Sequence, residues 1–183
     1  MPLAALFRRN RYRDQARKAY ERIVAAARRP EFFLVLGVPD TLDGRFEVLA
    51  LHAFLALNRL KAERPSSADF AQQLFDTMFA DLDRGLREMG ASDLGVGRHV
   101  KQMAKAFYGR IVAYEHGLAG SEADLAEALR RNLFGTVTPS SEALAEMTRY
   151  VQLQARALAG QTRESLLAGD IIFHQQAIEN ERI

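Results

Sequence analysis

The chain has 183 residues, 48% of them hydrophobic, and a net charge of +2, a size that suits one domain burying about 70% of the surface its unfolded form exposes. Zero cysteines exclude disulfides, thiolate zinc sites and thiol nucleophiles, and fit a reducing compartment. The longest apolar run, residues 48–57, is broken by His52 and falls short of the roughly 20 residues that a membrane span needs.

At the N-terminus PLAALF precedes the arginines, the reverse of a secretory signal, so no export is expected. Residues 1–10 read as a basic leader. Up to Arg29 the chain carries Arg8, Arg9, Arg11, Arg13, Arg17, Lys18, Arg22, Arg28 and Arg29 against only Asp14 and Glu21. Charge concentrated on one element acts locally, so the leader arginines Arg8, Arg9, Arg11 and Arg13 suit a polyanionic neighbour, either ribosomal RNA or anionic lipid. The same charges also suit a solvated helix face.

From residue 11 to 173 the pattern is that of one helical domain, and residues 174–183 form a polar tail. Tyr12, Ala16, Ala19, Tyr20, Ile23 and Ala27 recur at helical spacing up to the break at Pro30. Phe32 to Leu36 reads as a short apolar turn or helix. The turn formers of GVPDTLDGR follow, with Asp43 placed to cap a helix that runs to about Ala62. That helix is apolar on nearly every side, which makes it the expected centre of the bundle. Pro65, Ser66 and Ser67 mark a break and a new N-cap.

The stretch from Leu74 to Tyr114 predicts two amphipathic helices joined at Gly90, the second starting at Ser92 or Asp93. Ala71, Leu74, Met78, Leu82 and Met89 share one face of the first, widened by Phe75, Phe79 and Leu86. Val100, Met103, Phe107, Ile111, Tyr114 and Leu118 line the inner face of the second, with Arg98, Lys101 and Lys105 outward. Ser121 and Asp124 resemble a capping box opening a helix to about Phe134, and Ser140 or Ser141 caps a last long helix that Gly160 ends. No alternating strand pattern of note appears. The fold class expected is all-α, a single irregular bundle of about six to eight helices.

Chemistry-bearing patterns are sparse. His52, His99, His116 and His174 show no metal-ligand spacing, and the absence of Glu-x-x-His removes a di-iron bundle. His52 reads as a core or interface histidine satisfied by one hydrogen bond. Asp81 and Asp83 lie three or four residues from Arg84 and Arg87, so surface ion pairing explains them more simply than acid–base catalysis. Gly95-Val96-Gly97-Arg98 opens a helix without either phosphate-binding signature. The central helices carry more aromatic width than one neighbour covers, and Met78, Met89 and Met103 beside it suit a groove adaptable to varied apolar partners. Ordinary core packing suits the same residues.

Three segments carry a resemblance: LGVPDTLDGRFEVLALH (residues 36–52), the stretch from Leu74 to Tyr114, and LLAGDIIF (residues 166–173). They resemble the ubiquinol-cytochrome c chaperone family, the cytochrome b assembly factors of mitochondria and alphaproteobacteria. The resemblance implies an all-helical fold, no enzymatic activity, no cofactor and no DNA partner. It implies a chaperone that binds newly made cytochrome b, in mitochondria at the ribosomal exit with a small partner protein. By carry-over, Asp40, Asp43, Arg45, Asp76, Asp83, Arg87, Asp93, Lys101, Tyr108, Arg110 and Tyr114 hold or shape the client surface. Arg110 is expected to pair with an acidic residue on the preceding helix. The long N-terminal extension of mitochondrial members is not matched, as in bacterial relatives. The location implied is cytoplasmic, peripheral to the inner membrane. A small helical enzyme or lipid-handling protein with an enclosed apolar pocket is the competing reading, and a closed pocket holding a buried carboxylate or histidine is its mark.

Overall fold

The computed structural model describes residues 11–90 and 93–174, without the side chains of residues 93 and 94. The leader positions Arg8 and Arg9, the side chain of Asp93 and the tail beyond His174 lie outside the described residues. Eight helical segments and no strand occur among the described residues: α1 Arg13–Ala27, α2 Glu31–Leu34, α3 Leu42–Lys61, α4 Ala68–Glu88, α5 Asp93–Ala119, α6 Glu122–Asn132, α7 Ser141–Ala159 and α8 Arg163–Leu167. The all-α bundle expected from the helical period is the fold observed.

Helix α3 is the hub, with twelve of its residues buried, because its sequence offers apolar side chains around the whole circumference. It packs against α1, α4, α5 and α7. Helices α1 and α4 lie together on one side of it, and α5, α6 and α7 follow one another round the other. A continuous cluster running from Ala16 to Phe173 forms the core.

Local chemistry sets the helix ends. Thr41, not Asp43, caps α3: its extended backbone (φ −119°) points Oγ1 at the amide of Gly44, 3.1 Å away. Asp43 instead sits inside the first turn, where its charge complements the helix dipole. Gly44 is needed there because a Cβ would run into the Pro39 carbonyl. Ser67 occupies the N-cap of α4, yet its hydroxyl donates back to the Leu60 carbonyl at 2.5 Å and ties the two helices together. Ser121 and Asp124 form the reciprocal box: Oγ accepts from the Asp124 amide (3.2 Å) and Oδ2 accepts from the Ser121 amide (2.8 Å). Ser140 caps α7. Between α4 and α5, Gly90 takes φ +86°, a left-handed turn that favours glycine.

Residues 170–174 form an extended strap across α7. The Gln154 amide donates to the His174 carbonyl (2.8 Å) and accepts from its amide (2.7 Å), while Gln161 treats Ile172 the same way at 2.5 and 3.1 Å. Lys18 holds Asp170 at 2.7 Å. The strap thus joins the first described helix to the last long one.

Candidate functional site

An open apolar groove lies where α1, α2, α3, α4 and α5 converge. It encloses about 550 Å³. Its floor is Val24, Phe33, Leu49, Leu82, Leu86 and Met103, contributed by helices far apart in sequence. Its lip is unusual: Leu34, Leu42 and Met89 are 78%, 55% and 60% exposed, so three large apolar side chains stand in water round a concave apolar surface. Such patches mark interaction sites. Charges frame the groove. Arg45 Nε donates to Asp40 Oδ1 at 2.6 Å while its guanidinium lies 5.8 Å from the Phe33 ring centre. The Arg45 hydrogen bond holds the Asp40 carboxyl below its usual range.

A second, more polar groove of about 910 Å³ runs between α1 and α4. The two share Tyr20, Val24, Arg28 and Asp81. Tyr20 donates its hydroxyl proton to Asp81 Oδ2 at 2.8 Å, and burial, reinforced by that acceptor, pushes its pKa up. Arg84 holds the other Asp81 oxygen. The divide between the grooves is therefore a fixed hydrogen-bonded rib.

The positions carried over from the family resemblance divide into three groups. Asp40 and Arg45 frame the apolar groove, and Asp76, which accepts from Gln72 at 2.8 Å, lines the second one with Arg13. Asp83 and Arg87 form a surface ion pair at 2.6 Å, as their spacing implied, and neither they nor exposed Lys101 and Asp43 line either groove. Tyr108 stands 58% exposed with its ring 5.6 Å from Phe75. Arg110 and Tyr114 lie deeper. Arg110 makes a two-pronged ion pair with Glu47 on α3, not with the preceding helix, and lies 5.7 Å from the Phe46 ring centre. Burial pushes the Glu47 carboxyl up, against the downward pull of Arg110. Tyr114 is fully buried against Phe54, and its hydroxyl has no hydrogen-bond partner. It shapes the surface from beneath and cannot touch a client.

The aromatic width of the central helices, which suited a groove, packs where α4 and α5 meet. These helices close on each other through aromatic rings, Phe75 and Phe79 of α4 meeting Phe107 of α5 at 6.0 and 6.1 Å. The groove opens instead at the far end of α4, where Leu82, Leu86 and Met89 turn toward α1 and α2. Arg11, from the leader set, lies 5.3 Å from the Tyr12 ring centre. Sequence reasoning missed Leu34 and Leu42. Their signal was two leucines flanking a turn-rich segment with no helical face to join.

No histidine among the described residues lines either groove. His52 is fully buried and lines neither. Its Nδ1 lies 2.8 Å from the Val48 carbonyl, which can only accept, so Nδ1 carries the proton and Nε2 accepts from the Tyr150 hydroxyl at 2.7 Å. It makes two hydrogen bonds where one was expected. Desolvation takes its pKa down to about 4. No group of metal-ligating side chains occurs among the described residues. The first groove combines an apolar floor, exposed leucines and the Arg45–Asp40 ion pair.

Comparison with known proteins supports that fold and extends it. A crystal structure of the Cbp3 homolog from Brucella abortus superposes with a TM-score of 0.79 at 40% identity, covering 94% of this chain and 97% of that one. Ubiquinol-cytochrome-c reductase complex assembly factor 1 of Xenopus laevis is 28% identical over 144 residues, 78% of this chain and 72% of the relative. The human protein of that name is 29% identical over 75% of this chain, and yeast mitochondrial protein CBP3 is 27% identical over 83%. The chain spans about half the length of the human and yeast relatives, 46% and 47%. The sequence profile described as Ubiquinol-cytochrome C chaperone matches residues 34–173, three quarters of the sequence, and the chain belongs to that family.

Proposed function

We propose that this protein is a non-catalytic assembly factor for the ubiquinol-cytochrome c reductase complex, and that it holds newly made cytochrome b in the apolar groove between α1, α2, α3, α4 and α5. The observation that carries the reading is the exposed lip of Leu34, Leu42 and Met89 above an apolar floor. A polytopic membrane protein presents apolar helices, and a concave surface with adaptable Met89 and Met103 suits such a client. The charged frame of Arg28, Asp40, Arg45 and Asp81 keeps the empty groove solvated and favours clients with a polar edge. An enclosed pocket with a titratable group aimed into it would favour the enzyme or lipid-handling reading; this groove is open, and His52 and Glu47 are engaged elsewhere. No helix among the described residues is long and apolar enough to cross a membrane. Arg8, Arg9, Arg11 and Arg13 are proposed to attach the protein to the ribosome or an anionic inner-membrane surface.

The test is capture of cytochrome b from membrane-containing lysate by Leu34→Asp and Met89→Asp variants. Both positions are exposed, so stability should move by no more than about 0.5 kcal/mol, while capture falls at least tenfold. Full capture by the folded double variant would remove the groove from the account.

A further inference from the structure

We propose that the outer face of α5 is a docking surface for an anionic bilayer, separate from the client groove. At 100° per residue, Arg98, Lys101, Lys105, Tyr108 and Val112 fall within about 80° of arc, along about 21 Å of helix. All five are exposed, Tyr108 at 58% and Val112 at 68%. The three cations form no ion pair with a described carboxylate. Glu115, which borders the stripe on α5, is already engaged by Lys61 at 2.8 Å. Gly97 and Gly109 flank it, and a Cβ at either would meet nothing within 4 Å, so the stripe stands open on both borders, with Phe75 of α4 touching it at the Tyr108 ring.

Charge complementarity selects an anionic occupant, and the order of residues along the stripe selects a bilayer. Three cations suit lipid phosphates, and each Lys or Arg near such a surface strengthens binding about fivefold. Tyr108 and Val112 continue the same line; a phenol body with a polar tip belongs at the headgroup boundary, and an exposed valine gains from acyl-chain contact. A nucleobase can stack on the Tyr108 ring, but a soluble polyanion such as RNA offers Val112 no acyl chain, so Val112 is the residue that selects the bilayer.

The test floats the full chain with vesicles of phosphatidylcholine alone and of phosphatidylcholine with phosphatidylglycerol, and in parallel titrates a single-stranded RNA oligomer. Binding is expected only to the anionic vesicles. Arg98→Gln with Lys105→Gln should weaken it about 25-fold, and Val112→Asp should weaken it further with no change in melting temperature. A variant with Arg8, Arg9, Arg11 and Arg13 changed to Gln, run beside these, isolates the leader's share. The α5 variants should still capture cytochrome b, and the groove variants should still float, so the two proposals fail separately. Unchanged flotation of the folded α5 variants overturns the inference. So does binding to RNA without binding to vesicles, or an effect of the Arg98 and Lys105 changes with none from Val112, because either makes the stripe a general polyanion surface.

Discussion

His52 shows how much one side chain can report. Its folded pKa of about 4 lies below the ordinary 6.5, so the unfolded chain takes up a proton at a higher pH than the native one does. Stability from neutral His52 is therefore complete above pH 6.5 and is lost as pH falls toward 4, a window that precedes titration of Glu127, held near 2 by Arg130 and Arg131. The loss amounts to roughly 3 kcal/mol at the low end. Thermal melts between pH 7.5 and 4.5 should show a steep decline in the wild type and a shallower one in His52→Gln; parallel curves would mean that the carboxylates dominate. Arg110 offers a second test. With side chains 18% and 11% exposed, Arg110 and Glu47 are mutually required, so Arg110→Met should cost roughly 3 kcal/mol by stranding a buried carboxyl. Adding Glu47→Leu should recover most of that in denaturant titrations. If the double variant is as weak as the single, packing and not charge accounts for the loss.

At the scale of elements, α5 and α6 meet so closely that a Cβ on Gly117 would lie 2.9 Å from the Leu125 Cα, whereas one on Gly109 meets nothing. Gly117→Ala should therefore push two helices apart and destabilise the protein by about 2 kcal/mol, while Gly109→Ala should stabilise it by up to about 1 kcal/mol through helix propensity. Urea midpoints of the two variants moving the same way would contradict this geometry. These elements were readable in the sequence because the apolar residues of α1, α4, α5 and α7 recur at the helical period, and Ser121 with Asp124 announced its own cap. Thr41 was not readable. Thr41 and Asp43 are both capping types, and the choice falls to the one that takes an extended backbone where the Pro39 carbonyl crowds Gly44. Arg110 was legible as a paired cation but not in its partner, since Glu47 lies 63 residues away on another helix. The groove was half legible: Met89 and Met103 could be placed near it, but its lip comes from Leu34 and Leu42, whose exposure depends on how α1 and α2 fold over α4.

The whole molecule is one core, and the strap decides whether it also melts as one. Phe173 packs on His52 with ring centroids 5.0 Å apart, and residue 170 is held by Lys18 of α1. Gly169 approaches the Gln15 backbone so closely that only glycine fits at its φ of +81°. These contacts bind residues 169–174 to α1, α3 and α7, which share the core cluster. Phe173→Ala removes a large, nearly buried ring from that cluster and should cost roughly 3 to 5 kcal/mol. For a chain of this size that lowers the melting temperature by roughly 10 °C. Because the cavity opens against α3, the loss should appear in the global transition, which calorimetry should still show as a single peak. A strap that instead opens locally would leave the peak in place and lower only the hydrogen-exchange protection of the Ile172 and His174 amides. Those two amides are bonded by Gln161, just past the end of α7, and by Gln154 of α7, so exchange measured on the same variant separates a structural clasp from a loose flap.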